Sequence, residues 1–239
     1  MVAKSAGHRQ RLRERFLASG LDGFADYEVI ELLLALATPR KDCKPAAKQA
    51  LKQFKTLQAV LSAPVQDLVA IEGIGPKNVF GLKLIPAVAE RYLQKKLIGK
   101  NPLQNPRQLF DYMYVRLRDR ARECFDTIFL DAKNRVIATE TLFEGTLTAS
   151  AVYPREVVVA ALARRAAALI FVHNHPSGDP APSRADIDLT RRLIHACRPV
   201  DIVVHEHLII GDNRYYSFAE HGHIARMQEE IEHFLGSDQ

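Results

Sequence analysis

The segment 173-HNHPSGDPAPSRAD-186 constrains this chain more than any other. His173 and His175 stand two residues apart at the end of a short apolar run, 169-LIFV-172, which by length and composition is a buried strand. Strand side chains alternate between faces, so both imidazoles leave the same one. Seven residues rich in Pro and Gly then turn the chain to Ser183, placed to head a helix, with Asp186 in its first turn. Any fold that suits this segment gathers a strand end and a helix start at one point. Two neutral imidazoles and a carboxylate make a three-ligand set suited to zinc, one ion per chain. An open fourth position separates a catalytic from a structural site, and water held there has a pKa of about 7.

The S-x-x-D spacing is also a helix capping box, with Ser183 as N-cap and Asp186 reaching back. The two uses are compatible, because a carboxylate has two oxygens. The chain has two further H-x-H pairs, 205-HEH-207 and 221-HGH-223, but neither precedes a loop and a suitably placed acid. His195, His221, His223 and His233 read as solvated or packed histidines, and Asp179 as a turn-stabilising aspartate.

The surroundings exclude several classes. With 47% hydrophobic and 26% charged residues among 239, the chain is expected to fold as one large or two modest domains. No apolar run approaches the roughly 18 residues of a bilayer span, and the basic N-terminus leads into no signal-peptide core, so neither membrane nor secretion is expected. Cys43, Cys124 and Cys197 lie far apart and form no C-x-x-C, which disfavours disulfides and thiolate zinc fingers and points to the cytoplasm.

Charge divides the chain. Residues 1–100 hold 17 Lys+Arg against 9 Asp+Glu (+8), and the rest hold 16 against 19 (−3), summing to +5. The basic part reads as helical: a basic segment from Arg9 to Phe16, a run over 24–38 with Asp26 as N-cap, the one-sided pattern 44-KPAAKQALKQF-54, then 56–64 and 65–93. Within it, 68-LVAIEGIGPKNVFGLKLI-85 resembles a helix-hairpin-helix. Gly73 and Gly75 permit a tight turn, and the amides beyond it, with Lys77 and Lys83, suit a phosphate backbone. DNA is therefore the expected partner of this part. A Pro/Asn-rich loop at 98–106 marks the boundary, giving domains 1–98 and 99–239. Beyond it, a helix over 106–117 precedes a hairpin (CFDTIFLD and RVIATETLF around 132–134). Next come a helix from Pro154, the 169–172 strand, a helix over 183–197, strands near 201–210 and 215–218, and a helix over 223–235. Alternating strands and helices make this half a layered α/β domain.

H-x-H-x7-S-x2-D resembles the JAMM (MPN+) motif of zinc metalloproteases and deubiquitinating isopeptidases. The strings FEGTLTASAVYPREVV, HNHPSGDPAPSRADI and LIIGDNRYYSFAE, with ELLLALATPRKDCKPAAK and GIGPK, resemble the bacterial RadC family of DNA repair proteins. That resemblance spans nearly the whole chain. It implies an all-helical N-terminal domain and a C-terminal JAMM/MPN-type, cytidine-deaminase-like α/β/α domain. It makes His173, His175 and Asp186 the zinc ligands and gives Ser183 the task of holding the substrate carbonyl or its oxyanion. It also calls for a glutamate base on an earlier strand, for which Glu140 is the best match and Glu144 the fallback. His207 falls where the family often has histidine, whereas His205 departs from that pattern.

The function this implies is a zinc-dependent hydrolase of peptide or isopeptide amides, brought to DNA by its helical half. The alternative is a DNA-binding repair accessory protein with a structural or vestigial zinc site. A metal-dependent nuclease ranks lower, because phosphodiester cleavage favours hard or paired metals with carboxylate-rich ligation.

Overall fold

The computed structural model describes residues 3–39, 41–145 and 152–236, with side chains from residue 7 to residue 233. The chain divides into two units, Met1–Ala89 and Glu90–Gln239. Part of the string FEGTLTASAVYPREVV, residues 146–151, lies outside the described residues.

The first unit holds α1 (Ala3–Ser19), α2 (Asp26–Leu36), α3 (Lys44–Phe54), α4 (Leu57–Ser62), α5 (Val65–Val69) and the start of α6 (Val79–Leu97). The apolar run of α2 buries Ile30 and Leu34 in one cluster with Ala46, Ala47 and Ala50 of α3, and Val60, Leu68, Ile71 and Leu82 complete it. The N-cap of α2 is Ala25 rather than Asp26: Glu28 Oε2 accepts from the Ala25 amide at 3.1 Å, and Asp26 is the first helical residue. A carboxylate there still complements the helix dipole.

The division into units falls inside α6 and not in the loop after residue 98. From Glu90 onward this helix packs with the second unit. Glu90 meets Arg116 at 2.6 Å, Gln94 donates to Thr139 at 3.0 Å, and Leu97 joins that unit's core. The loop itself is tied down, since the Gly99 amide donates to Val136 and the Val136 amide donates to Lys100.

The second unit continues with α7 (Pro106–Leu117), β1 (Glu123–Leu130), β2 (Val136–Gly145), α8 (Pro154–Ala163), β3 (Ala168–Asn174), α9 (Arg184–Cys197), β4 (Val203–Ile210), β5 (Tyr215–Ser217) and α10 (His223–Gly236). The five strands form one mixed sheet in the order β2-β1-β3-β4-β5. Only β3 and β4 run parallel, joined by α9 as their crossover. One face, with Phe125, Phe129, Phe171 and Ile209, packs against Val157 of α8, Leu189 and Leu193 of α9, and Met227 and Ile231 of α10. The other, with Ile128, Ile170, Val172 and Leu208, packs against Leu109, Tyr112 and Met113 of α7 and Leu97 of α6. Helices on both sides explain why every residue of β3 is buried and why LIFV carries no polar alternation. The ends of β1 and β3 frame the site: Phe125 lies opposite His173, which lies opposite Ile209 of β4.

Candidate metal centre

Strand β3 delivers His173 on the face shared with Phe171, and the chain then runs through 175–183 to the start of α9. That loop is pinned to the end of β4. The His175 amide donates to Ile210 at 3.0 Å, and the Asp212 amide donates to the Gly178 carbonyl at 2.8 Å. The approach requires glycine at position 211, where a Cβ would lie 2.5 Å from the Gly178 oxygen and 2.9 Å from the Pro180 nitrogen. At the far side the capping box forms. Ser183 Oγ accepts from the Asp186 amide (3.2 Å), while Asp186 Oδ2 accepts from the Ser183 amide (2.7 Å) and hydroxyl (2.6 Å).

With Oδ2 engaged by Ser183, Oδ1 faces His173. His173 Nε2 lies 3.2 Å from Asp186 Oδ1 and 3.1 Å from His175 Nε2, which is 3.5 Å from Asp186 Oδ2. Among the described residues, His173, His175 and Asp186 alone form a His/Cys/Asp/Glu group of three close enough to hold a metal ion. The donor chemistry fits one. His175 Nδ1 is 2.8 Å from the Asp179 carbonyl, which can only accept, so the ring proton sits on Nδ1 and the Nε2 lone pair points at the cluster. A four-coordinate cation with bonds of about 2.0–2.1 Å spaces its ligands about 3.3–3.4 Å apart, close to the separations seen.

The same convergence moves the protons. His175 is pushed above the ordinary imidazole value, first by its hydrogen bond with Asp186 and against the effect of burial. His173, fully buried, is pushed down by that burial despite Asp186. For Asp186, burial pushes upward, but the imidazoles of His173 and His175 beside it and the Ser183 hydroxyl outweigh it and hold the carboxyl well below its usual range. A proton and a cation therefore compete for the same three atoms. His207 lies beneath, its Nε2 2.8 Å from His173 Nδ1, and burial pushes it well below the ordinary value.

A cavity of about 740 Å³ opens over the cluster, lined by His175, Ser177, Ser183 and Asp186 on one side and by Glu123 and Gly145 on the other. Glu123 is the acid that sequence reasoning missed. It is the first residue of β1, two positions before Phe125 on the same face. Continuing the antiparallel register Phe125–His173 by two residues sets it across from His175. Its charge raises the proton affinity of both His173 and His175. An acid in phase with H-x-H across an antiparallel pair was the available signal.

The structure does not bring Glu140 to this cluster. Glu140 lies opposite Thr127, four residues along β1 from Glu123, which is roughly 13 Å of strand. Its carboxylate is ion-paired with Arg164 at the end of α8. Glu144 lies opposite Cys124, whose neighbours fill the α7 face, so it faces away from His173.

In the first unit, Gly73 adopts φ +87° as the turn requires. The Gly75 amide, however, donates to Asn78 Oδ1 at 2.7 Å, and Asn78 Nδ2 donates to the Gly73 carbonyl (2.9 Å) and to Thr38 Oγ1 (3.0 Å). The buried Asn78 side chain thus takes the amide of Gly75, within the turn. Lys77 is exposed. Lys83 is not a surface cation: its Nζ donates to the carbonyls of Leu61 (2.7 Å) and Ala63, and burial lowers its pKa.

A family model described as RadC-like JAB domain matches residues 103–223, and one described as UPF0758 N-terminal matches residues 4–80. A UPF0758 protein of Ruegeria pomeroyi is 42% identical over 217 residues, covering 91% of this chain and 97% of that one.

Proposed function

The chain belongs to the RadC-like JAB domain family, and on that premise we propose that it is a zinc-dependent hydrolase of JAMM type acting on peptide or isopeptide amides. The observation that carries the reading is the convergence of His173 Nε2, His175 Nε2 and Asp186 at a cavity lined by His175, Asp186 and a second carboxylate, Glu123. Zinc bound by these three would polarise a water and the scissile carbonyl. Glu123 takes the general-base role expected of Glu140: it accepts the proton of the attacking water and passes it to the departing amine. Ser183 first holds Asp186 in place. Its hydroxyl, at the cavity wall, then turns to the substrate carbonyl oxygen as charge develops there.

The test compares wild type with His173→Ala and Asp186→Ala for bound metal and for cleavage of a library of unstructured and isopeptide-linked peptides. About one zinc per wild-type chain, lost in both variants together with cleavage, supports the reading. Equal cleavage by chelator-treated protein overturns it.

One observation favours DNA as the partner of the first unit. Lys44, Lys48, Lys52 and Lys55 recur at helical spacing along α3 and its end, with Lys44 and Lys48 also set over the Tyr27 ring. Such a stripe would follow phosphates without reading sequence, so affinity would fall steeply with salt. Absence of duplex binding at low salt removes this partner.

A further inference from the structure

His173 is held by a chain of hydrogen bonds that runs away from the cavity and ends on Thr190. Thr190 sits one turn after Asp186 in α9, and its Oγ1 is 2.6 Å from the Asp186 carbonyl oxygen. The same Oγ1 is 2.6 Å from His207 Nδ1, and His207 Nε2 is 2.8 Å from His173 Nδ1. Thr190 and His207 are both fully buried. Phe218 stacks on the His207 ring with centroids 4.9 Å apart, and Phe125 and Phe171 meet it edge-on, so the imidazole is boxed in.

The proton positions follow from one constraint. A carbonyl oxygen only accepts, so the single Thr190 hydroxyl proton must lie between Oγ1 and the Asp186 oxygen, because two bare oxygens at that separation repel. Oγ1 can then only accept from His207, which puts the His207 proton on Nδ1. The His207 Nε2 lone pair must accept from His173, which puts the His173 proton on Nδ1. His173 Nε2 is left as a lone pair facing His175 and Asp186. The reverse orientation would place a hydrogen on His173 Nε2, where it would block ligation.

We propose that Thr190 and His207 are positioning residues that fix the metal-binding tautomer of His173, so that a backbone carbonyl of α9 dictates which imidazole nitrogen faces the metal. The proposal rests on the reading that His173 ligates through Nε2, but the proton chain itself exists without any ion.

The experiment uses long-range 1H–15N NMR of the metal-free protein, with zinc affinity as a second readout. In wild type both His173 and His207 should be Nδ1–H tautomers. Thr190→Val keeps the shape but removes the anchor. It should let both rings adopt the Nε2–H form and weaken zinc binding about 10- to 100-fold, the usual cost of losing a ligand's supporting hydrogen bond. Thr190→Ser should restore both. His207→Phe, which fits the aromatic box, should lose affinity to a similar degree, and serves if Thr190→Val does not fold. An Nε2–H tautomer at His173 in wild type, or wild-type tautomers and affinity in both Thr190→Val and His207→Phe, overturns the proposal. If wild type has the expected tautomers, shifted as described by Thr190→Val, yet binds no zinc, then the metal reading fails and the proton chain stands.

Discussion

Exchanging one oxygen for an amide nitrogen at Glu123 or at Glu140 separates the two carboxylates by role. Glu123→Gln removes a proton acceptor at the cavity wall. General-base catalysis contributes typically 10²–10⁴-fold, so turnover should fall by that factor, which is about 3–5 kcal/mol of barrier. Metal content should hold, because Glu123 is not among the three converging donors. Glu140→Gln breaks only the pair with Arg164, whose side chains are 41% and 32% exposed. A pair so open to solvent is worth about 0–1 kcal/mol, and Arg164 keeps its place over the Phe129 ring. Turnover should therefore stay within about twofold of wild type and the midpoint of unfolding should barely move. The assay is single-turnover cleavage of a peptide found in the library screen, with zinc measured in the same samples. A silent Glu123→Gln beside a dead Glu140→Gln would refute the register argument that places the base on β1.

Three further outcomes are expected. Zinc affinity should fall as pH is lowered through the elevated pKa of His175, by about tenfold per pH unit below it, since a protonated imidazole cannot ligate; titrations between pH 5 and 8 read this slope, and a flat profile refutes it. Arg116→Met should strip the fully buried Asp126 of its cation and leave it with Thr141, destabilising the second unit by about 3–5 kcal/mol; Asp126→Asn in the same chain should recover part of the loss in thermal unfolding. Lys83→Met should lower stability by about 1–3 kcal/mol by leaving the Leu61 and Ala63 carbonyls unpaired, while duplex affinity drops less than in Lys48→Ala; the reverse order would return Lys83 to the list of phosphate contacts.

What was legible in the sequence is what neighbouring residues determine. The Ser183 cap, the Pro-started helices, the hairpin around 132–134 and the strand before His173 follow from local chemistry and are found where expected, whereas the cap of α2 falls one residue earlier, at Ala25. Side-chain traffic between distant segments was less readable. Asn78 reaching Thr38, Lys83 folding onto the end of α4 and α6 crossing from one unit to the other all depend on which helix ends meet, which periodicity does not encode. Glu123 escaped notice for the same reason. The hairpin was visible, but the pairing of β1 with β3, which brings Glu123 into phase with His175, joins positions 52 residues apart.

The observed cap at Ser183-x-x-Asp186 and the proposed ligation by Asp186 are compatible in one arrangement. The cap engages Oδ2 and the backbone amides, and in doing so it fixes the rotamer that turns Oδ1 toward His173. Helix formation at the start of α9 thus positions a candidate metal ligand independently of any ion. The carbonyl of the same residue, one turn before Thr190, anchors the proton chain to His173. A single residue of α9 therefore presents its carboxylate to the cluster from one end while its peptide oxygen governs the opposing imidazole from the other. Two proposed ligands become preorganised by the folding of one helical turn, which would lower the ordering cost of metal binding.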